Sequence, residues 1–504
     1  MSLRLLVLAD AHYSTGGPNA FTPPQRRIEL GRELVRRAIE DARRRGGFDV
    51  ICLVGDMMND HAAPTARADL LALRQEIAQG APDVPLLAVP GNHDGDPGRL
   101  MSIFDQPAGM QEIGGYRFFA FCDAYGPGDV CTRPADQMEQ FRLAAAESAG
   151  RGPLIVLQHN PMNPVIPSDS YPYMLTNRDE VMADYVHAGV LLSLSGHYHA
   201  GQEPSIADGV RYYTAESLCQ PPYGYSVITL DGEHVSIEPR RLMLEGTLPL
   251  VDCHTHTELA YCAQDVSAEG NVSRAATFGL SAICIVEHAP QLYMTKDDFW
   301  AGRHVRDQAV WRQESISRAR QYRELVGPLR QKNPNVYIGF EIEMDAAGEA
   351  ILRDEDRRFA DVLLGAVHFF CLPTEEMTDA EMIAEYVDAT DRILDYGVDV
   401  LAHPWRLLDR KLKNPWPGRR DAYAYLAKRL AQTDTAAEIN YHKTANDADF
   451  FALCVQHGVK IATGSDAHEQ HETANLGVYL DLLRQIAPVR VLAEILWQPR
   501  RRME

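Results

Sequence analysis

Near the middle of this 504-residue chain stands Leu248-Pro249-Leu250-Val251-Asp252-Cys253-His254-Thr255-His256-Thr257-Glu258, an apolar run that ends in a His-x-His pair. On an extended strand His254 and His256 project from the same face, so one strand end delivers two imidazoles to one point. That is how a first strand opens a metal-binding barrel, yet 247 residues precede it. The chain therefore reads as two domains with a boundary near residue 246, 1–246 and 247–504. Its length alone exceeds that of one ordinary domain. The short unpatterned join, Arg241 to Thr247, suggests domains packed together rather than loosely tethered.

The first half repeats one device. Leu5 to Leu8 is an apolar strand ending in Asp10-Ala11-His12, where acid and imidazole can share a cation. A helix-period segment from Arg26 to Arg45 leads to the strand Val50 to Val54, which ends in Gly55-Asp56. Pro85 to Pro90 ends in Gly91-Asn92-His93-Asp94, where the Asn92 amide oxygen can ligate a metal and His93 can reach toward substrate. Leu154 to Leu157 leads to His159, and Val190 to Ser195 to Gly196-His197-Tyr198-His199. Phe118 to Phe121 and Gln140-Phe141 are expected to add strands and a helix to a two-sheet sandwich. Pro161 to Asp179 reads as a loop over the site, with Tyr171, Tyr173 and Met174 as substrate-lining candidates. Strands through Tyr212 and from Tyr225 to Leu230, then a turn at Asp231 to His234, complete the half.

These five ordered blocks resemble the calcineurin-like metallophosphoesterases, in particular their cyclic-nucleotide and glycerophosphodiester phosphodiesterase branch. The resemblance implies an αββα sandwich over residues 4 to 240 and a two-metal site of Mn, Fe or Zn. It places one metal on Asp10, His12, Asp56 and His199, and the other on Asp56, Asn92, His159 and His197, with Asp56 bridging. Asn92 and His93 would meet the phosphoryl group, and His93 would protonate the leaving oxygen. Paired divalent ions acidify a shared water and offset the charge on the phosphoryl oxygens.

After His256 the strand-end device continues. Ala282 to Val286 ends in Glu287-His288, Val336 to Phe340 in Glu341, Val362 to Val367 in His368, and Val398 to Ala402 in His403. Ala437 to Asn440 follows, then Lys460 to Gly464 ending in Ser465-Asp466-Ala467-His468. Seven strands alternating with helical stretches such as Asn271 to Thr277, each with polar residues at its carboxyl end, describe a parallel barrel with its site at one mouth.

This order resembles the PHP (polymerase and histidinol phosphatase) family, its free-standing histidinol-phosphatase-like members most closely, and implies a distorted (β/α)7 barrel. By that resemblance one metal takes His254, His256, Glu341 and Asp466, and a second takes Glu341, His368 and His403. A third, in the family, uses the counterparts of His288 and His468 plus a histidine that this chain lacks. Cys262 stands at that place, either as a thiolate ligand favouring zinc or as a buried cysteine. Two or three ions of Zn, Mn or Fe are thus expected. Arg406 is the preferred phosphate-binding cation, ahead of Arg303, Arg306 and Lys443.

The whole implies an α/β and α+β enzyme with two metal sites, a phosphodiesterase followed by a phosphomonoesterase for histidinol-phosphate-like substrates. Asp56, His93, Glu341 and Asp466 are its expected catalytic groups. Alternatives are that the second domain opens a cyclic diester and the first acts on the product, or that one domain only binds a phosphorylated ligand. The net charge of −21 argues against nucleic acid as partner. Nine cysteines without a C-x-x-C pair, and no apolar run of membrane-spanning length, lead us to expect a cytoplasmic protein off the membrane. Oligomeric state is left open.

Overall fold

The computed structural model describes residues 2–501 apart from 21, 107–108, 169–170, 244–247, 314–316, 373 and 445. The chain forms two compact units, Met1–Met243 and Leu244–Glu504. The boundary expected near residue 246 falls outside the described residues.

The first unit contains β1 (Leu3–Leu8), β2 (Val50–Val54), β3 (Leu86–Val89), β4 (Met110–Ile113), β5 (Tyr116–Ala120), β6 (Leu154–Leu157), β7 (Val190–Ser195), β8 (Gln202–Ala207), β9 (Val210–Thr214), β10 (Gly224–Asp231) and β11 (His234–Arg241). They form a five-stranded sheet, β11-β10-β1-β2-β3, and a six-stranded sheet, β4-β5-β6-β7-β9-β8. Apolar side chains from the two sheets, among them Leu5, Val7, Val54, Phe118, Ile155 and Leu194, pack into one core. Each fully buried leucine of this kind contributes about 1.5–3 kcal/mol. A second core, around Phe121, Phe141 and Tyr185, lies under helices Ala135–Glu147 and Arg178–Ala188. β1, β2 and β3 run parallel, as do β5, β6, β7 and β9, so their carboxyl ends collect at common edges.

The second unit contains β12 (Val251–Thr255), β13 (Ala282–His288), β14 (Val336–Ile342), β15 (Val362–Gly365), β16 (Val400–Leu401), β17 (Ala436–Ile439) and β18 (Ile461–Thr463), all paired in parallel in chain order. A parallel bridge between Thr255 and Ala467 brings the last strand end back to the first, giving a nearly closed seven-stranded barrel. Val251, Cys253, Val286, Leu364, Val400 and Ala462 fill its interior.

Local boundaries depart from the sequence reading in small ways. The first helix is Gly31–Arg44 and starts after a 3₁₀ turn, Ile28–Leu30, rather than at Arg26. Pro23 and Pro24 disfavour helix in this stretch. The helix expected from Asn271 begins at Ala268, where the Ser267 hydroxyl accepts from Gly270 N. Among the described residues no helix is long and apolar enough to cross a membrane.

Candidate metal centres

In the first unit the ends of β1, β2, β3, β6 and β7 bring the expected groups to one place. Nε2 of His12 lies 3.5 Å from Oδ2 of Asp56, and Nε2 of His159 lies 3.3 Å from the same oxygen. Nε2 of His199 stands 3.2 Å from Nε2 of His12 and 3.5 Å from Oδ1 of Asp10. The backbone N–H of His197 donates to both Asp10 oxygens, and that of His93 donates to Oδ1 of Asp56 at 2.9 Å. Asp56 therefore touches both halves of the cluster. Asp10, His12, Asp56 and His197 all adopt positive φ, 54°, 44°, 54° and 69°. Left-handed backbone is sterically costly for non-glycine residues and persists where the surroundings impose it, as at functional sites.

Gly91 shows how tightly the cluster is built: a Cβ on it would lie 2.2 Å from Oδ1 of Asp56. Asp94, one step past His93, accepts from Met57 N, Met58 N and Gly91 N and so ties the loop after β2 to the loop after β3. His159 is oriented through Nδ1 by the Val54 carbonyl at 2.7 Å, and His199 through Nδ1 by Gln220 at 3.1 Å. Gln220 carries no sequence signal for this role. Burial pushes the Asp56 carboxyl up, but the charges of His159, His93 and His12 outweigh it and hold it well below the carboxylate range.

An open cavity of about 940 Å³ adjoins this cluster, lined by Arg26, His93, Tyr171, Tyr173 and Tyr198 among others. Met174, expected there, is not among the lining residues. Tyr171 is held by Asp129, and its hydroxyl accepts from the Asn92 side-chain N–H at 3.2 Å. Because the amide nitrogen is engaged, Oδ1 of Asn92 is the atom left for a ligand.

In the second unit the barrel mouth gathers a second cluster around Glu341, at the end of β14. Its Oε1 lies 2.9 Å from Nε2 of His403 and 3.4 Å from Nε2 of His368. Its Oε2 lies 3.5 Å from Nε2 of His254 and 2.5 Å from Nδ1 of His288. Oδ1 of Asp466 lies 2.8 Å from Nε2 of His256 and 3.6 Å from Nε2 of His254. The register of β12 against β13 shifts between Asp252 and Thr255, around His254, and the His254 ring lies 5.0 Å from that of His256. His403 and Asp466 again have positive φ, 30° and 54°. Burial opposes ionisation of Glu341, yet His288, His368 and His254 hold its carboxyl well below the usual range.

His256, His288 and His468 form a further group able to share an ion. Cys262 lines the same cavity as His288 and His468, and Gln291 donates to its sulfur at 3.5 Å. Burial pushes this thiol up to about 12. Arg406 reaches Oδ2 of Asp466 at 2.5 Å and Asn440 at 2.9 Å. Lys443 lines the cavity too. Arg303 and Arg306, expected as possible phosphate ligands, are held elsewhere: Arg303 pairs with Asp298, and Arg306 donates to the Cys371 carbonyl.

The roles of several residues here were not read from the sequence. Glu287 faces Nδ1 of His256 at 3.4 Å, and Glu438 faces Nδ1 of His254 at 3.0 Å. Glu343 faces Nδ1 of His368 at 3.2 Å, with buried His304 on its far side at 3.5 Å. Glu287 and Glu343 follow the strand alternation beside named groups, a signal that could have found them. Carboxylates of this kind fix the tautomer and direction of a metal-binding imidazole.

The donor sets suit divalent cations. Oδ1 of Asn92 and Nε2 of His159 and His197 in the first unit, and Nε2 of His254 in the second, are buried without a hydrogen-bond partner. Partnerless buried polar atoms are costly and rare, and His159, His197 and His254 each belong to a group whose donor atoms could share an ion. Imidazole and carboxylate donors of this mix suit zinc, manganese or iron.

The calcineurin-like phosphoesterase family model matches residues 3–201, and the PHP domain model matches residues 252–442. No curated protein matches the chain. Among solved structures it is similar to a dimetal phosphatase from Danio rerio, at 16% identity over 47% of this chain and 96% of that one, TM-score 0.41. It is also similar to a putative 5'-nucleotidase from Staphylococcus aureus, at 15% identity over 49% of this chain and 56% of that one, TM-score 0.34. The NAD nucleotidase of Haemophilus influenzae shares 12% identity over 48% of this chain and 50% of that one, TM-score 0.31. The match thus spans about half the length of either nucleotidase. With both families matched in order along one sequence, the chain is a metal-dependent phosphoesterase that joins a calcineurin-like phosphoesterase domain to a PHP domain.

Proposed function

We propose that the N-terminal centre hydrolyses small phosphodiesters and the C-terminal centre small phosphomonoesters of the histidinol-phosphate kind, the second acting on the product of the first. The observation that carries this reading is the pair of donor clusters, each with buried groups able to share an ion and each beside its own cavity. A degenerate binding-only domain would be free to lose such buried, costly groups.

In this reading the first centre holds two ions on Asp10, His12, Asp56, Asn92, His159, His197 and His199. The second holds two or three on His254, His256, His288, Glu341, His368, His403, Asp466 and His468. Divalent cations in such sites acidify water and offset the charge of phosphoryl oxygens. The protein groups do the rest. Asp56 and Glu341 each link the two sides of a cluster. His93 has Nδ1 engaged by the Asn59 carbonyl at 2.6 Å, so Nε2 is the nitrogen that, in the doubly protonated ring, gives a proton to a leaving oxygen. Arg406, tied to Asp466, presents positive charge to a monoester at the barrel mouth. The partner is a small phosphorylated molecule, and the net charge of −21 disfavours nucleic acid.

The test compares bis-p-nitrophenyl phosphate with p-nitrophenyl phosphate in the wild type, Asp56→Asn and Glu341→Gln. Loss of diester cleavage alone in the first variant, and of monoester cleavage alone in the second, is the expected result. One variant removing both activities while the other removes neither would overturn the two-site reading.

A further inference from the structure

The cavity at the barrel mouth has an uneven charge. Its lining includes Arg406, Arg410 and Lys443 against one carboxylate, Asp466. That carboxylate is already engaged by Arg406 and by His256. Phe299, Trp300 and Phe369 form an aromatic wall. The cavity measures about 280 Å³, at the small end of the range for small-molecule sites.

The three cations differ in how they are held. Arg406 is buried and its Nε has no hydrogen-bond partner. Arg410 lies one turn further along the helix Arg406–Lys411, on the same face, and is exposed. Lys443 follows β17 with φ of 51°, a conformation a lysine adopts only at a cost. Among the described residues, no hydrogen bond or ion pair engages the charged end of Arg410 or Lys443. Two solvated cations thus stand over the cavity beside a third whose Nε is buried without a partner. Strained backbone at a cation facing a site is the kind of feature that points from structure to function.

We propose that the C-terminal site selects phosphomonoesters that carry a second anionic group, carboxylate or phosphate, on a short carbon chain, with Arg410 and Lys443 receiving that group. This rests on the monoesterase reading above but departs from its histidinol-phosphate example, whose chain carries an ammonium and no second anion. A substrate bearing an ammonium instead would meet two like charges and, among the lining residues, no free carboxylate. Arg410 and Lys443 are specificity-determining residues in this scheme, since the ester phosphate itself is received by the metal cluster and Arg406.

The test is calorimetric binding to the full-length, manganese-loaded protein of phosphonates, whose C–P bond is not hydrolysed. Propylphosphonate, 3-phosphonopropionate, propane-1,3-bisphosphonate and 3-aminopropylphosphonate share a chain and differ at its far end. Since hydrogen bonds between charged partners are the stronger kind, a doubly anionic ligand is expected to bind about tenfold or more tightly than propylphosphonate. The amino compound is expected to bind no better than propylphosphonate. The relative affinity of 3-phosphonopropionate and the bisphosphonate tells carboxylate from phosphate. In Arg410→Ala/Lys443→Ala the doubly anionic ligands lose about tenfold more affinity than propylphosphonate, so their advantage disappears. Lys443→Glu shifts preference toward the amino compound. Equal binding of all four ligands, or an equal loss for propylphosphonate in the double variant, overturns the proposal. Hydrolysis of p-nitrophenyl phosphate and its sensitivity to Glu341→Gln are read separately, so failure of the monoesterase reading is told apart from failure of anion selection.

Discussion

Oε1 of Glu438 stands 3.0 Å from Nδ1 of His254, so a carboxylate on β17 fixes which imidazole nitrogen of β12 carries the proton and leaves Nε2 for a metal. The other oxygen of Glu438 accepts from the His403 backbone at 2.6 Å, and a Cβ on Gly464 would fall 1.9 Å from Oε1. Glu438→Ala is therefore expected to weaken metal binding at the C-terminal centre by about 10–100-fold. Metal content and calorimetry on the full chain check this, with Glu438→Gln retaining part of the affinity and the N-terminal ions unaffected.

Tyr171 joins Asp129 to Asn92 across the N-terminal cavity, at 2.9 and 3.2 Å. Tyr171→Phe releases the Asn92 amide from its fixed direction. One such hydrogen bond corresponds to roughly a tenfold change in kcat/KM for a diester. Monoester cleavage at the other centre should not change, and the ratio of the two rates is the readout.

Glu76 clamps the helices Gly31–Arg44 and Ala66–Gly80 through Arg32 at 2.6 Å and Arg36 at 2.5 Å. Burial pushes its carboxyl up, but the bonds to Arg36 and Arg32 outweigh this and hold it below its ordinary value. A lowered folded value means the stabilisation is complete above the ordinary glutamate range and is lost as pH falls through the folded value. Glu76→Gln should cost about 2 kcal/mol at neutral pH, as for loss of a charge-assisted contact. Urea denaturation across pH should show the gap from wild type closing in acid.

Chelation is expected to lower the unfolding temperature of both units, because each centre gathers buried imidazoles and carboxylates that an ion satisfies. Ligation at a thousand times Kd corresponds to about 4 kcal/mol. Calorimetry with EDTA and with restored manganese should show two responsive transitions. Asp56→Asn should blunt one and Glu341→Gln the other; an unchanged scan would refute metal ligation.

What the sequence by itself determined is the set of strand ends. Asp10-Ala11-His12, Gly55-Asp56, Gly91-Asn92-His93 and His254-Thr255-His256 are local patterns, and an apolar run ended by polar groups states both the strand and the direction of its last side chains. The parallel barrel and the two-sheet unit follow from that alternation of strand and helix. Tertiary structure alone decided the groups around them. Glu438 and His254 lie 184 positions apart, and nothing near either marks the other as its partner. Arg303 and Arg306 were phosphate candidates ranked behind Arg406, and the fold hands them to Asp298 and the Cys371 carbonyl, while the turn after His403 aims Arg406 at Asp466. Strand periodicity is a short-range property that a sequence displays directly. The partner a buried charge finds depends on which distant elements the packed core brings together.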